Sequence, residues 1–387
     1  MKSKIKYREL IFVGIIALGT LSASIYALGV KTEVNAFENR PAVLLELPTL
    51  MNLSAGEFQS KTEEALADQL PFASDLKERY NRIISSVKLK FNATFTDEWN
   101  QYVPFAGHQK FNDHIVYRYS TLEEYQQDID VRINNMNQLI EANPNINFYT
   151  YYIEKESDVN LETNEKNGMA EYLEENIHLP KEQVGVFQIN NYSEYTRDFY
   201  KTDHHWNNKG SLRGYQELYT LLHGDNAYKE PTGELCMIGR FSGAKAALTA
   251  TKPAFNEEFC FYEFDFLPHT TYLDNEVGIY GDKADYVLNP EVTPSYGEAF
   301  GGDLALIRFD YKQPNSDNIL IFGESFDNPI LELIAEGFNN TYSVDLRNYS
   351  EGEFDFEAFV SENDIDQVLF IGNIDFYLSD KFNVGVK

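Results

Sequence analysis

The chain has 387 residues, of which 43% are hydrophobic and 14% aromatic, a length and composition that exclude an intrinsically disordered or disulfide-scaffold protein. Lys and Arg total 32 against 61 Asp and Glu, a formal charge of -29. A surface this acidic repels phosphate backbones and anionic lipid, and with no basic run after residue 10, nucleic acid is excluded as the main partner.

In chain order, the first feature is a positive segment holding Lys2, Lys4, Lys6 and Arg8, followed by an uncharged stretch from Leu10 to Val30. That stretch is longer than the apolar core of a cleavable signal and matches the roughly 20 residues that cross a bilayer as a helix. Residues 1–9 are therefore expected inside, 10–30 as a transmembrane signal anchor, and the remainder outside, on the cell membrane's extracytoplasmic face. Ser22 and Ser24 keep a cleaved signal peptide open as the alternative. Residues 31–100 read as a helical region packing on a catalytic domain. Phe58, Ala65, Leu66, Leu70, Phe72, Leu76, Tyr80, Ile83, Ile84 and Val87 recur at helical spacing, and Pro71 predicts two helices or one kinked helix there.

The catalytic domain is expected over residues 101–387. Ile129, Ile133, Met136, Leu139 and Ile140 predict a helix over 128–142, stopped by Asn143-Pro144-Asn145. The aromatic and β-branched run 146–153 predicts a strand, and helix followed by strand is the local grammar of an α/β layer. Two further apolar runs, 318–322 and 367–371, lack alternation and suit strands of a sheet covered on both faces; a helix is expected over 329–338. Residues 225–317 show no sustained period and are expected to form an irregular insertion of loops and short strands. Cys236 and Cys260, the only cysteines, are open between a disulfide and two buried free thiols.

The densest chemical cluster is Thr202-Asp203-His204-His205-Trp206, on a turn leading into a helix marked by Leu212, Tyr215, Leu218, Tyr219 and Leu222. Asp203 and His205 are two apart, so in extended backbone both side chains point to one side. The carboxylate then accepts the imidazole Nδ1 proton and leaves Nε2 as a general base. By itself the cluster reads first as a His-rich surface turn capping a helix. A nucleophile in context adds weight: Gly323-Glu324-Ser325-Phe326 lies between an apolar strand and a helix, where backbone N–H groups can stabilise negative charge on oxygen. Gly372-Asn373 marks a third polar strand end and a candidate oxyanion donor.

These segments, with Phe37-Glu38-Asn39-Arg40 and Asp68-Gln69-Leu70-Pro71-Phe72 in support, resemble the DHHW family. Those proteins are similar to the alginate O-acetyltransferase-like proteins. The resemblance implies an α/β fold: a circularly permuted SGNH hydrolase-like three-layer sandwich with a mostly parallel sheet. It implies Ser325 as nucleophile, His205 as base and Asp203 as its orienting carboxylate, with Asn373, Gly323 and Trp206 as oxyanion or substrate-binding candidates. The implied chemistry is acetyl transfer to or from a cell-surface or secreted polysaccharide, with no cofactor and no metal. The partners would be a carbohydrate acceptor and a membrane-bound acyl-donor protein. Two departures stand out: Glu324 replaces the family's Asp before the serine, and His204 has no transferable role.

Two other readings follow from the same residues. Asp203, His204 and His205 are potential ligands of a metallophosphoesterase, with Asp128-Ile129-Asp130 and Asp364-Ile365-Asp366 as further carboxylate pairs. A non-catalytic surface protein that binds glycan or assembles a complex would also keep the fold without the chemistry. Within the enzyme reading, the excess acid favours a neutral or zwitterionic glycan over a polyanion.

Overall fold

The computed structural model describes residues 108–224, 227–237, 257–281, 304–349 and 354–378 continuously, together with 241, 243–248, 296–300, 302 and scattered positions between 11 and 105. The chain divides into two compact units: residues 1–99, 104–107 and 244–252 form one, and residues 100–103, 108–243 and 253–387 the other.

In the first unit, the described positions at 11–15, 17–19, 22 and 26 are helical. No helix among the described residues is long and apolar enough to cross a membrane, so the expected anchor over 10–30 finds no support there, and the rest of that span lies outside the described residues. Helical positions between 61 and 87 fall where the amphipathic pattern predicts them, while Pro71 and the segment 70–75 lie outside the description. A short antiparallel pair, Val34–Asn35 with Arg40–Pro41, was not expected in a helical region.

The second unit is built on an eight-stranded mixed sheet. Its strands are β1 (Asn147–Ile153), β2 (Val184–Phe187), β3 (Thr270–Leu273), β4 (Glu276–Gly278), β5 (Leu306–Asp310), β6 (Ile319–Phe322), β7 (Asn340–Val344) and β8 (Gln367–Gly372). The spatial order is β4-β3-β5-β7-β6-β8-β1-β2. Strands β7, β6, β8, β1 and β2 run parallel, while β5, β3 and β4 extend the sheet antiparallel. Five of the eight strands are thus parallel, as a mostly parallel sheet requires, and three extend it antiparallel. Residues 225–317, expected as an irregular insertion of loops and short strands, supply those three short strands as part of the main sheet. Their signal was short: β5 alternates Ile307 and Phe309 inward with Leu306, Arg308 and Asp310 half-exposed, two periods only.

Alternate residues of the parallel strands feed two cores. Tyr151, Ile319, Ile321, Leu369 and Ile371 pack on one face with Trp206, Tyr215, Leu218 and Leu222. Phe148, Tyr152, Leu320, Phe322, Val368 and Phe370 pack on the other with Ile129, Ile133, Met136 and Leu139. The helix α1 (Gln126–Ala142) covers the second face and ends where Asn143 donates to the Leu139 carbonyl, just before Pro144. The helix α2 (Asn208–His223) covers the first. Asn207 caps its N-terminus by accepting from the N–H groups of Lys209 and Gly210, and Gly224 ends it at φ 73°. Both faces are therefore clothed in helix, the layering that continuous apolar strands require.

Outside the main sheet, β9 (Gly233–Cys236) and β10 (Cys260–Glu263) pair antiparallel with Cys236 opposite Cys260. The two cysteines form a disulfide.

Candidate active site

Three parallel strands, β6, β8 and β1, end side by side, with Phe322 in register with Phe370 and Gly372 in register with Tyr152. The residues that follow each strand, 323–328, 373–375 and 154–158, form one polar ridge and are nearly all buried. Ligand sites at the carboxyl ends of such strands are general in open α/β sheets.

Ser325 sits on the ridge after β6, in a run of turns that reaches the helix Leu331–Ala335. That helix is shorter and starts later than the expected 329–338, so the turn carrying Ser325 is longer than a direct strand-to-helix elbow. Gly323 is required there: a Cβ at this position would lie 1.8 Å from Asp327 Oδ2. Its N–H points to the Val344 carbonyl at 3.5 Å. Gly323 thus shapes the turn, and the structure gives its amide to the neighbouring strand rather than to Ser325.

Asp203 and His205 come from the loop between Tyr192–Asp198 and α2. A bridge between Phe199 and Trp206 closes the loop at its base, and the Asn207 N–H donates to the Asp198 carbonyl at 2.8 Å. Gly210 allows that approach, since its Cβ would fall 2.2 Å from the same oxygen. At the tip, the Glu257 carboxylate accepts from the N–H groups of Lys201 and Thr202 and from Thr202 Oγ1. The Gly243 N–H donates to that same hydroxyl, and Gly243 also packs where a Cβ would meet Asp203 at 2.3 Å. Burial pushes the Glu257 carboxyl up, against the hydrogen bonds from Thr202 and Lys201 that favour its charge. Sequence reasoning missed Glu257: it lies in the stretch without period, and a Glu-Glu pair before an aromatic run carries no motif.

The loop and the turn meet in a continuous chain of hydrogen bonds. His205 Nδ1–H donates to Asp203 Oδ1 at 2.6 Å, and Ser325 Oγ–H donates to His205 Nε2 at 2.8 Å. Asp203 Oδ1 also accepts the backbone N–H of His205 at 3.0 Å. Because a carboxylate oxygen only accepts, this contact fixes the imidazole proton on Nδ1 and leaves Nε2 as the acceptor for serine. Ser325, His205 and Asp203 are all buried. Tyr296 stacks on the imidazole at 3.7 Å and 3° between ring planes, holding its orientation. The ring of His204 lies 3.9 Å from that of His205.

Trp206 and Phe326 hold loop and turn together. Trp206 is 1% exposed, its ring 5.8 Å from that of Phe326, and Gly214 on α2 makes room for the indole, which a Cβ would meet at 2.4 Å. Asn373 is 1% exposed; its backbone N–H and its Nδ2 both donate to Glu324 Oε1, at 3.2 and 2.6 Å. The extra methylene of Glu324 thus reaches across to the end of β8. Burial raises the Glu324 carboxyl, with Asp375 adding to the effect and Arg347, the Asn373 N–H and Lys155 opposing it.

Beside the triad, an aromatic cleft is lined by Tyr200, Trp206, Phe261, Phe264, Tyr296 and Phe300, among others. It shares Tyr296 with His205, and Ser325 is not among its walls.

Asp203, His204 and His205 each offer a donor atom within 4.8 Å of the others, so a cation is sterically conceivable there. Yet both imidazole nitrogens of His205 are engaged, by Asp203 and by Ser325, and metal ligation through either breaks the chain. The two Asp-x-Asp pairs lie elsewhere. Asp128 is in the first turn of α1, and Asp366 accepts the Asn318 N–H at the opposite ends of β6 and β8 from Ser325. They do not join the histidines.

The molecule is thus a mixed α/β sandwich carrying a Ser-His-Asp triad at the carboxyl ends of its parallel strands. No protein-family model and no curated protein matches the sequence. Among solved structures, the fold is similar to a DHHW family protein from Eubacterium siraeum, at TM-score 0.57 and 16% identity over 74% of this chain and 99% of that one. It is also similar to Bacillus cereus PatB1 with a sulfonyl adduct, at TM-score 0.54 and 19% identity over 72% of this chain and 97% of that one. The resemblance read from the motifs is therefore matched by a resemblance in fold.

Proposed function

We propose that the protein is an extracytoplasmic serine acyltransferase that moves an acetyl group to or from a polysaccharide through an acyl-Ser325 intermediate. The observation that carries this reading is the unbroken Asp203–His205–Ser325 chain, at 2.6 and 2.8 Å. His205 Nε2 takes the Ser325 proton as Oγ attacks the acyl carbonyl, and the resulting imidazolium is stabilised by Asp203. The same proton passes to the leaving group as the acyl-serine forms. In the second half, His205 deprotonates a sugar hydroxyl or water, which attacks the acyl-serine and frees Ser325. The backbone N–H groups of Ser325 and Phe326 meet no acceptor among the described residues and are our candidates for the oxyanion site. Asn373 is assigned to holding Glu324, and Trp206 to fastening the loop. The aromatic cleft beside Tyr296 supports a sugar as the larger substrate, because ring faces stack on such walls.

The Cys236–Cys260 disulfide supports an oxidising compartment. The apolar segment 10–30, behind its positive flank, supports a membrane tether, and a membrane-bound acyl donor would be within reach of a tethered enzyme.

A structure of PatB1 carries a sulfonyl adduct, and a sulfonyl fluoride is the natural probe here. It is expected to label Ser325, with labelling abolished in Ser325→Ala and reduced on the order of a thousandfold or more in His205→Ala. An unmodified Ser325 in the folded wild type overturns the nucleophile assignment.

A further inference from the structure

The ridge carries a second set of charged groups that the triad does not use. Lys155 follows β1 and its side chain is only 3% exposed, yet it is ion-paired to Asp375, whose side chain is 64% exposed. An ammonium has three donors, and among the described residues Asp375 is its single hydrogen-bond acceptor. The ammonium also lies 5.1 Å from the centroid of the Tyr117 ring. Burial disfavours the ammonium, and the carboxylates of Asp375, Glu156 and Glu324 outweigh it and hold the charged form; buried charge clusters of this kind concentrate at functional sites.

Asp375 is also tied to the nucleophile turn. Its backbone N–H donates to Asn373 Oδ1 at 2.7 Å, Asn373 Nδ2 donates to Glu324 Oε1 at 2.6 Å, and Glu324 adjoins Ser325. Each link is short and all of these residues but Asp375 are buried, so the backbone of Asp375 is fastened to the turn that carries Ser325. Tyr117 lies within electrostatic reach of Lys155, Asp375 and Asp203. One carboxylate oxygen of Asp375 takes the lysine, and the other has no donor among the described residues.

We infer that Asp375, positioned by Lys155 and flanked by the ring of Tyr117, is the acceptor subsite, binding a hydroxyl of a neutral pyranose whose neighbouring hydroxyl attacks the acyl-serine. A carboxylate accepts a sugar hydroxyl strongly, an aromatic ring packs against the apolar face of the sugar, and the ion pair with the buried lysine holds the carboxylate in place. The inference rests on the serine acyltransfer reading and names its acceptor side.

The test uses p-nitrophenyl acetate as acyl donor and methyl β-glucopyranoside as acceptor, comparing full-length wild type with Asp375→Asn and Lys155→Met. The quantity read is the ratio of acetyl transferred to sugar over acetate released. A hydrogen bond to a charged group is worth about 1.5–3 kcal/mol, so a fall of roughly ten- to a hundredfold in that ratio is expected for Asp375→Asn. Lys155→Met should shift it the same way and Lys155→Arg should restore part of it. Asp375 is exposed, so its variant folds even where the lysine variant does not. A ratio unchanged within twofold in Asp375→Asn overturns the inference, whatever happens to the total rate. So does a wild type that is labelled at Ser325 by sulfonyl fluoride but transfers nothing to the sugar. Failure of that labelling instead overturns the serine reading itself.

Discussion

At the scale of single residues, the site depends on which proton each acceptor can hold. Asp203 Oδ1 receives two donors from one residue, the backbone N–H and Nδ1–H of His205, so the side chain is locked to its own backbone as well as to the carboxylate. Asp203→Asn keeps the shape but turns an acceptor into a group that also donates, which favours the wrong imidazole tautomer. A loss on the order of 10⁴ in kcat for ester hydrolysis is expected, with the unfolding midpoint little changed; a loss below tenfold would remove Asp203 from the triad. Asp203, His205 and Ser325 were legible in the sequence because their chemistry is carried by residue type and short spacing. Their supports were not. Glu257, Gly243 and Tyr296 are 40 to 90 residues away in the chain, and nothing local marks a glutamate that accepts three hydrogen bonds from a distant loop. The roles of Asn373 and Trp206 illustrate a second limit. A strand-end Asn and a Trp beside a His of this kind both suggest substrate contact, while here Asn373 donates to Glu324 and Trp206 packs on Phe326 as well as lining the aromatic cleft.

At the scale of elements, the parallel half of the sheet was legible and the antiparallel half was not. Strands β1, β6 and β8 are runs of large apolar residues buried on both faces, a pattern that needs no period to be seen. The antiparallel strands β3, β4 and β5 have three to five residues each, and β3 and β5 take their identity from pairing across long sequence gaps: Thr270 pairs with Asp310, and Leu306 with Val344. The hairpin β9/β10 is a similar case, since its register is what brings Cys236 opposite Cys260. The bridge closes a loop over a sequence separation of 24, and constraint of the unfolded chain by such a loop is worth about 3 kcal/mol in the entropic account. Replacing both cysteines by serine is therefore expected to lower stability by about that amount in denaturant unfolding. The wild type in a thiol reductant should match the variant, and equal stability of oxidised and reduced wild type would show that the two sulfurs are not joined.

At the scale of the whole molecule, a formal charge of -29 stands beside an unusual number of buried carboxylates, and the two act together on stability as pH changes. Burial pushes Glu154 up from 4.5 to about 7, against its hydrogen bonds from Lys166 and the Ile189 N–H, and burial raises Asp158, Glu257 and Glu324 as well. A carboxyl whose pKa is higher in the folded state contributes stability that is complete below its unfolded value and is lost as pH rises through the folded one. For Glu154 that window runs from about 4.5 to about 7. Asp113 has the opposite sign: desolvation would raise it, but the hydrogen bond from Lys201 and the charge of His114 hold it at about 2, below its usual 3.8. Its contribution is present above 3.8 and lost as pH falls towards 2, and its partial exposure in solvent makes it small. Self-repulsion among the surface acids also grows as they ionise, so both whole-molecule terms favour mildly acid conditions. Thermal unfolding followed from pH 3 to pH 8 is expected to place the highest Tm near pH 4 to 5, with a fall towards neutrality that raised salt lessens by screening the surface. Salt leaves the buried part of the fall in place, and Glu154→Gln, which holds no ionisable proton, should remove a share of it specifically between about 4.5 and 7. A Tm that rises steadily from pH 4.5 to 7.5, or a Glu154→Gln curve parallel to the wild type across that window, would contradict the assignment of these carboxylates as buried and protonation-linked.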